Sequence, residues 1–209
     1  MNGKLFVSKH PLVMDKISRL RDSRTSVAQF RQLMAEAAML IGHDALSGLK
    51  VQKAVVKSPL GNVKCMKINQ SITCVAILRA GLGMTDGLLK LEPSARIGHI
   101  GIYRNEETLD PVRYYVRFPS NLSAQYVLLA DPMLATGGSA IEAVNILKSR
   151  GARHITFMCL LAARQGIINF HKKHPEVPLY AGAVDPKLNS NGYIVPGLGD
   201  AGDRMFGTF

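Results

Sequence analysis

The chain has no apolar run long enough to cross a membrane and no charged-then-apolar leader at its N-terminus. Its three cysteines, Cys65, Cys74 and Cys159, are widely spaced and form no CxxC pair. This spacing favours reduced and mostly buried thiols over a disulfide framework. The GxSxG, HExxH and Walker-lysine motifs are also missing. We therefore expect a cytoplasmic protein that does not associate with membranes, and these motif-defined hydrolase classes are disfavoured.

Acidic residues are scarce relative to basic ones, because 26 Lys and Arg face 15 Asp and Glu and give a net charge of +11. Most of the excess lies in residues 1–70, where 12 basic residues oppose 4 acidic ones (+8), whereas residues 71–209 carry 14 against 11 (+3). A basic face can attract RNA through its phosphates. It equally attracts small polyanionic ligands. We expect the basic residues to attract small polyanionic ligands, and nucleic-acid binding is the less favoured alternative.

The composition favours one ordered domain, residues 1–209, with a substantial core, because 47% of the residues are hydrophobic and 20% are charged. Residues 11–46 show apolar positions at helical spacing, interrupted at residues 21–24. Thr25 or Ser26 is a suitable N-cap for the second of these helices. A strand at 51–57 and a turn at 58–62 are predicted next.

Strands and helices then alternate along the chain. The strand at residues 72–78 is a continuous apolar run, as expected for a strand buried on both faces. Such alternation predicts an α/β fold with a parallel sheet flanked by helices. The further strands are predicted at 96–103, 126–130, 154–161 and 179–184, and the helices at 84–91, 139–149 and 163–174.

Two segments depart from this alternation. Residues 101–119 combine a charged turn with an alternating strand pattern, which predicts a β-hairpin arm. Residues 185–209 are rich in Gly and Pro, and a loop of that length in an ordered domain is usually functional or disordered.

The most informative segment is residues 126–139, which pass from an apolar strand through Asp131 into a small, Gly-rich turn and then a helix. The turn, residues 135–139, offers backbone N–H groups, the hydroxyls of Thr136 and Ser139, and a helix N-terminus, all of which suit a phosphate. Asp131 is placed to accept hydrogen bonds from sugar hydroxyls. The segment predicts a ribose phosphate ligand; the alternative is an ordinary turn whose glycines allow tight packing.

Three more segments are expected at the carboxyl ends of the strands, where α/β sheets bind ligands. Arg79 follows an apolar strand inside a Gly-rich turn, and its planar guanidinium suits a diphosphate. Arg104 on the arm could cover the same anion, or it could be a solvated arginine. Residues 192–204 contain Asp200 and Asp203 and could hold a flat polar ligand through backbone groups. Their alternative is a surface loop capped by a short helix, with Asp203 opposing the helix dipole.

Together these segments resemble the uracil phosphoribosyltransferase family, over nearly the whole chain. The family's diphosphoribose-binding signature is similar to residues 127–139, and its pyrophosphate loop to residues 77–84. Its arm is similar to residues 101–108, its uracil-binding segment to residues 193–207, and its opening to residues 7–12. The C-terminal segment is the most specific of these, because other phosphoribosyltransferases carry a different hood over the base.

The resemblance implies a phosphoribosyltransferase-type fold with a C-terminal base-binding hood over about residues 185–209, and the conversion of uracil and 5-phosphoribosyl diphosphate (PRPP) to UMP and diphosphate. It implies Mg²⁺ that arrives with PRPP and is contacted indirectly by Asp200. It also implies a homodimer formed through the arm, and GTP as a possible activator. The implied catalytic residues are Arg79, Arg104, Asp131 and Asp200. The implied PRPP-binding residues are Arg79, Arg104, Asp131, Pro132, Met133, Leu134, Ala135, Thr136, Gly137, Gly138, Ser139 and Asp200. The implied uracil-binding residues are Ile194, Gly199, Asp200 and Ala201.

Two positions depart from the wider pattern. Many phosphoribosyltransferases place two adjacent acids on the ribose hydroxyls, whereas this chain has only Asp131, as the uracil enzymes do. Asn105 stands where the family's arm often carries an aspartate. The similarity is weakest over about residues 41–70, which leaves GTP activation open. The rival hypotheses are a regulatory or RNA-binding protein on the same fold, and an enzyme for guanine or xanthine, which the segment 199–201 disfavours.

Overall fold

The computed structural model describes residues 3–104 and 111–208. Its helices cover most of the helical stretches predicted from the sequence. The helices are α1 (Pro11–Arg21), α2 (Val27–Ala45), α3 (Leu82–Leu91), α4 (Gly138–Ser149), α5 (Arg164–Lys173) and α6 (Ala201–Phe206). The strands are β1 (Leu5–Val7), β2 (Val51–Ser58), β3 (Gly61–Ile68), β4 (Ser71–Leu78), β5 (Arg96–Arg104), β6 (Pro111–Arg117), β7 (Gln125–Ala130), β8 (Met133–Leu134), β9 (His154–Ala163), β10 (Leu179–Asp185), β11 (Lys187–Leu188) and β12 (Ile194–Val195).

The main sheet of the described residues has the strand order β1-β10-β9-β7-β4-β5-β6, with β8 also pairing with β9. All of its neighbours run parallel except β5 and β6, which are antiparallel. The predicted parallel sheet is therefore confirmed. The chain proceeds from β4 to β5 on one side and from β7 through β9 to β10 on the other. The strand order thus reverses between β4 and β7, and the crevice at their carboxyl ends is where a doubly wound sheet binds its ligand.

Helices cover both faces of the sheet. On one face α1, α2, α3 and α6 contribute to a core that includes Phe30 and Met34, both fully buried. On the other face α4 and α5 pack over a second core in which Phe157 contacts Phe170, with ring centroids 5.2 Å apart. The central strands are buried from both sides, which explains why β4 reads as an uninterrupted apolar run.

The break predicted at residues 21–24 separates α1 from α2. Ser26 rather than Thr25 is the N-cap of α2: its hydroxyl accepts from the N–H of Gln29, and the Gln29 side chain accepts from the N–H of Ser26. This reciprocal capping box satisfies two N–H groups that the helix leaves unpaired.

Several elements are missing from the sequence prediction. β3 returns antiparallel along β2 and completes a hairpin of which only the first strand and the turn were predicted. β1 is a short strand at the sheet edge, and β8, β11 and β12 are strands of two residues each. α6 corresponds to the short helix in the alternative interpretation of residues 192–204. The arm prediction is refined as well. β6 pairs with β5 from His99 onward and forms the sheet edge, while residues 105–110 lie outside the described residues.

Within residues 3–104 and 111–208, no helix combines the length and apolar character needed to span a bilayer. The cysteines have no disulfide partner: Cys74 and Cys159 are buried in the core, and Cys65 is partly exposed on β3. The prediction of mostly buried thiols is confirmed.

The close approach of α3 to α2 generates a stability prediction. A Cβ atom at Gly87 would collide with the backbone carbonyl of Ala35 in α2. We expect Gly87→Ala to lower the free energy of unfolding by about 1–3 kcal/mol, because a backbone obstacle cannot rotate away. The matched control is Gly48→Ala, where no atom lies within 4 Å of the added Cβ, and its effect should stay within about 0.5 kcal/mol. Urea denaturation measures both, and equal effects would contradict the packing argument.

Candidate functional site

A cleft of about 900 Å³ opens at the carboxyl ends of β4 and β7. It brings together three of the four segments singled out in the sequence: the turn after β4, the segment after β7, and the C-terminal hood. The lining residues are Ala80, Asp131, Met133, Ala135, Ser190, Asn191, Gly192, Tyr193, Ile194, Gly199, Asp200, Ala201 and Gly202.

The Gly-rich turn at residues 135–139 leads directly into helix α4. Gly137 adopts a left-handed conformation with φ of 92°, and α4 begins at Gly138. The first N–H groups of a helix have no acceptor within it, so this end of α4 can donate to an anion. Ser139 lies in the first turn of α4, where its hydroxyl can add to those donors. The geometry is that of an anion loop, which is the name used below for residues 135–139.

Helix α5 supports the anion loop from behind. The side-chain amide of Asn169 donates to the carbonyl of Thr136 at 2.9 Å. Gly166 packs so closely that a Cβ there would collide with the carbonyl of Ala135. Sequence reasoning missed both residues, because α5 carries no motif and its contact with the loop spans about thirty positions.

Asp131 follows β7 at the floor of the cleft, and its N–H donates to the carbonyl of Met158 at 3.2 Å. Burial raises the pKa of its carboxyl to about 7, and a hydrogen bond from the N–H of Met133 offsets only part of that rise. The folded chain therefore keeps a proton that the unfolded chain releases near pH 4, so stability falls as pH rises from about 4 to about 7. Burial and the nearby Asp131 also raise the pKa of the Cys159 thiol, which stays protonated at neutral pH.

Arg79 stands at the turn after β4, immediately after a cis peptide bond that joins it to Leu78. Its guanidinium lies 3.3 Å from a carboxylate oxygen of Asp203 and 5.6 Å from the ring centre of Phe206, both on α6. The side chain is more than half exposed and stays accessible to a ligand. The turn itself packs against the end of β7, because a Cβ at Gly81 would lie 2.7 Å from the carbonyl oxygen of Ala130.

The hood forms the opposite wall of the cleft. Ile194 belongs to β12, which pairs with β11, and Gly199 adopts φ of 80°. Asp200 is the N-cap of α6, since its Oδ1 accepts from the N–H of Asp203 at 2.9 Å. The hydroxyl of Tyr193 donates to the other carboxylate oxygen of Asp200 at 3.4 Å. The hood therefore presents an oriented carboxylate and several backbone groups to one cavity.

Two arginines hold the hood from its outer side. Arg204 donates to the carbonyl of Leu198 at 2.7 Å and to the carbonyl of Asp22 at 2.6 Å. Its guanidinium also stacks on Phe30, 4.5 Å from the ring centre. Arg21 forms the second support together with Asp185, at the end of β10. Asp185 could have been flagged from the sequence, because an acid at the carboxyl end of an apolar strand is the same signal that pointed to Asp131.

The remaining predicted residues have different positions. The carbonyl of Pro132 accepts from the N–H groups of Leu160 and Leu161, and a proline has no N–H to donate. Leu134 is 1% exposed in the core, and neither residue lines the cleft. Arg104 is the last residue of β5, and its side chain lies outside the described part of the structure, as does Asn105. Their roles stay predictions.

The chain is similar to known proteins over almost its whole length. The sequence profile of the family described as "Uracil phosphoribosyltransferase" matches residues 7–208. A Bacillus licheniformis protein named uracil phosphoribosyltransferase is 51% identical over 99% of both chains. A Clostridium kluyveri protein of the same name is 48% identical over 95% of this chain and 96% of its own.

Solved structures agree on the fold. An Aquifex aeolicus protein superposes with a TM-score of 0.94, with 36% identity and 98% coverage of both chains. An adenine phosphoribosyltransferase from Thermoanaerobacter pseudethanolicus superposes with a TM-score of 0.51 at 14% identity, over 76% of this chain and 84% of its own. At that identity the likeness shows a shared fold alone.

The contact between Asn169 and Thr136 generates a binding prediction. Asn169→Ala removes the donor that fixes the Thr136 carbonyl, so we expect affinity for ribose 5-phosphate to fall about five- to tenfold. Ile168→Ala is the matched control, because Ile168 lies on the same helix, is exposed and is not part of the contact between Asn169 and Thr136. Isothermal titration calorimetry measures both affinities. An unchanged affinity for Asn169→Ala would remove the support role.

Proposed function

The chain belongs to the uracil phosphoribosyltransferase family, and from that premise we propose that it transfers the 5-phosphoribosyl group of PRPP to N1 of uracil, releasing UMP and diphosphate. The observation that carries the proposal is the cleft between β4 and β7, which unites Asp131, the entrance to the anion loop at Ala135 and the hood in one cavity. A ribose phosphate and a flat base need this combination: an anion site, a hydroxyl acceptor and a polar wall.

The reaction breaks the bond between C1 of the ribose and the diphosphate oxygen and forms the bond between C1 and N1 of uracil, which loses its proton. Negative charge accumulates on the departing diphosphate while the ribose becomes oxocarbenium-like. Catalysis therefore depends on orienting the two reactants and on stabilising the leaving charge. Arg79 would perform the second task, and the proposal is supported by its guanidinium, which stands at the turn after β4 and is more than half exposed.

The ribose phosphate would lie between Asp131 and α4. The carboxylate of Asp131 accepts hydrogen bonds from the ribose hydroxyls, and the anion loop donates to the 5′-phosphate. Small residues suit this loop because side chains would block the approach of the anion. Arg104 would cover the diphosphate from the arm.

Uracil would be held by backbone groups of the hood at Ile194, Gly199 and Ala201, with Asp200 beside them. A paired carbonyl and amide can read the N3–H donor and the O4 acceptor of uracil. Cytosine reverses this pattern and would leave buried polar groups unpaired, at a cost of about 1–3 kcal/mol for each group. Recognition through backbone groups thus accounts for selectivity without a dedicated side chain.

Mg²⁺ fits this site as a companion of the substrate. Within residues 3–104 and 111–208 no three His, Cys, Asp or Glu side chains converge on a point, so the diphosphate would supply most of the ligands. Asp200 is exposed at the cleft and would bind the hydrated ion through water. When bound, the ion neutralises charge on the leaving diphosphate.

The assembly and regulation form a second part of the proposal. The described part of the arm exposes Tyr103, Tyr114 and Tyr115, and large exposed aromatic surface favours self-association. A homodimer through the arm, a cytoplasmic location, one domain over residues 1–209 and activation by GTP follow from the family resemblance. Light scattering with and without GTP, run beside the activity assay, tests the dimer and the activator together.

The transfer itself is tested by incubating the protein with labelled uracil, PRPP and Mg²⁺. We expect labelled UMP to form. Absence of turnover together with tight RNA binding would support the regulatory alternative instead.

Arg79 and Asp200 carry separable parts of the mechanism. We expect Arg79→Ala and Asp200→Asn each to slow turnover by more than about 100-fold, because each removes a charge that faces the leaving group or its metal ion. Arg153→Ala is the control: Arg153 is exposed and precedes β9 at the amino ends of the strands, opposite the end where the cleft opens. Near-native rates for both site variants would refute the assigned roles.

The raised pKa of Asp131 predicts proton release on binding. Because that pKa is about 7, the carboxyl is partly protonated in the free protein at neutral pH. Hydrogen bonds from the ribose hydroxyls favour the carboxylate, so PRPP binding should release part of a proton near neutral pH and progressively less as the pH rises above the pKa. Calorimetry in buffers of different ionisation enthalpy measures the release. Asp131→Asn should bind PRPP more weakly and lose this component, whereas identical proton release from both proteins would place its source elsewhere.

A further inference from the structure

An ion pair between the half-buried Arg21 and the buried Asp185 contacts the hood from outside the cleft. Asp185 is 5% exposed, and its two carboxylate oxygens accept from the two terminal nitrogens of Arg21, each at 2.7 Å. Both partners also hold Gly197. Its N–H donates to Asp185 at 2.9 Å, and its carbonyl accepts from Arg21 at 2.8 Å. The donor and the acceptor of one hood residue are therefore both bound by the same ion pair.

Gly197 lies between the two parts of the hood that line the cleft, residues 190–194 and residues 199–202. The turn is tight: Gly197 has φ of 63°, and a Cβ there would collide with the carbonyl of Ile194. A displacement of Gly197 is therefore transmitted to Ile194. Arg21 is not part of the cleft lining and instead borders a separate cavity of about 470 Å³ on the far side of the hood.

We propose that Arg21 and Asp185 are positioning residues for base recognition, an inference that rests on the proposed transfer to uracil. Hydrogen bonds weaken steeply as their geometry departs from the optimum. A base read by backbone groups therefore requires a backbone held to within about 0.5 Å. The bidentate pair supplies that constraint, because it links the end of α1, the end of β10 and the peptide groups on either side of Gly197 in one rigid unit.

The pair is distinct from the supports of the ribose phosphate. The anion loop is held by α5, through Asn169 and Gly166, and none of these contacts involves Arg21 or Asp185. Loss of the ion pair should therefore weaken the binding of uracil at the hood more than the binding of ribose phosphate at the anion loop. This inequality separates a positioning role from a general loss of stability.

The test compares Arg21→Gln, Asp185→Asn and Arg21→Lys with the native enzyme. We expect the KM for uracil to rise about tenfold or more in the first two, while the dissociation constant of ribose 5-phosphate changes less than about twofold. Arg21→Lys keeps the charge opposite Asp185 but cannot bridge both oxygens and the Gly197 carbonyl, so we expect a smaller rise. The matched control is Lys16→Gln, which removes an ion pair between α1 and Glu36 of α2 that does not touch the hood. Its KM for uracil should equal the native value.

Each outcome is decisive. The inference is overturned if Arg21→Lys and a folded Arg21→Gln or Asp185→Asn variant all keep the native KM for uracil. The proposed transfer function would still stand in that case. Equal weakening of uracil and ribose 5-phosphate also overturns it, because a purely structural role predicts that result. Should Arg21→Gln and Asp185→Asn fail to fold, Arg21→Lys decides alone, with thermal denaturation confirming its native state. Absence of uracil turnover in the native protein overturns the proposed function itself.

Discussion

Burial of the central strands on both faces is the constraint on which the rest of the structure depends. β4, β7 and β9 lie between helices, so their side chains must be apolar along almost their whole length. Polar chemistry is then restricted to the ends of the strands. The reversal of strand order between β4 and β7 opens the sheet at one of those ends, and Arg79 and Asp131 stand on its two sides. One requirement of core packing thus determines where a ligand can bind.

The candidate site consists of surfaces that line the cleft and of side chains that hold those surfaces in place from behind. The anion loop and the hood both present backbone groups to the cleft. Their shapes are maintained by Asn169 behind the loop and by Arg204 and the pair of Arg21 and Asp185 behind the hood. This arrangement has a physical reason. Backbone donors cannot change rotamer to find a ligand, so their accuracy depends on the elements that fix the loop.

Local patterns explain why much of the fold was predictable. Helical spacing, apolar runs and Gly-rich turns are properties of neighbouring residues, and they located the alternating strands and helices and the cleft segments at Arg79, Asp131 and Asp200. β3 escaped prediction because most of its side chains are exposed on both faces, which removes the alternation that marks a half-buried strand. The supports escaped for a different reason. Arg21 and Asp185 are 164 residues apart, and neither belongs to a motif that would have paired them.

The long-range hydrogen bond of Arg204 has a consequence for the order in which the parts of the protein assemble. This residue bonds to the carbonyl of Asp22, 182 residues earlier in the chain. A nascent chain leaves the ribosome N-terminal end first, so the strands and the anion loop can assemble while the hood still lacks its outer clamp. The hood wall of the cleft is completed only when Arg204 emerges and docks on the carbonyls of Leu20 and Asp22. A polypeptide terminated before the hood would therefore retain the anion loop but lack the opposite wall of the cleft.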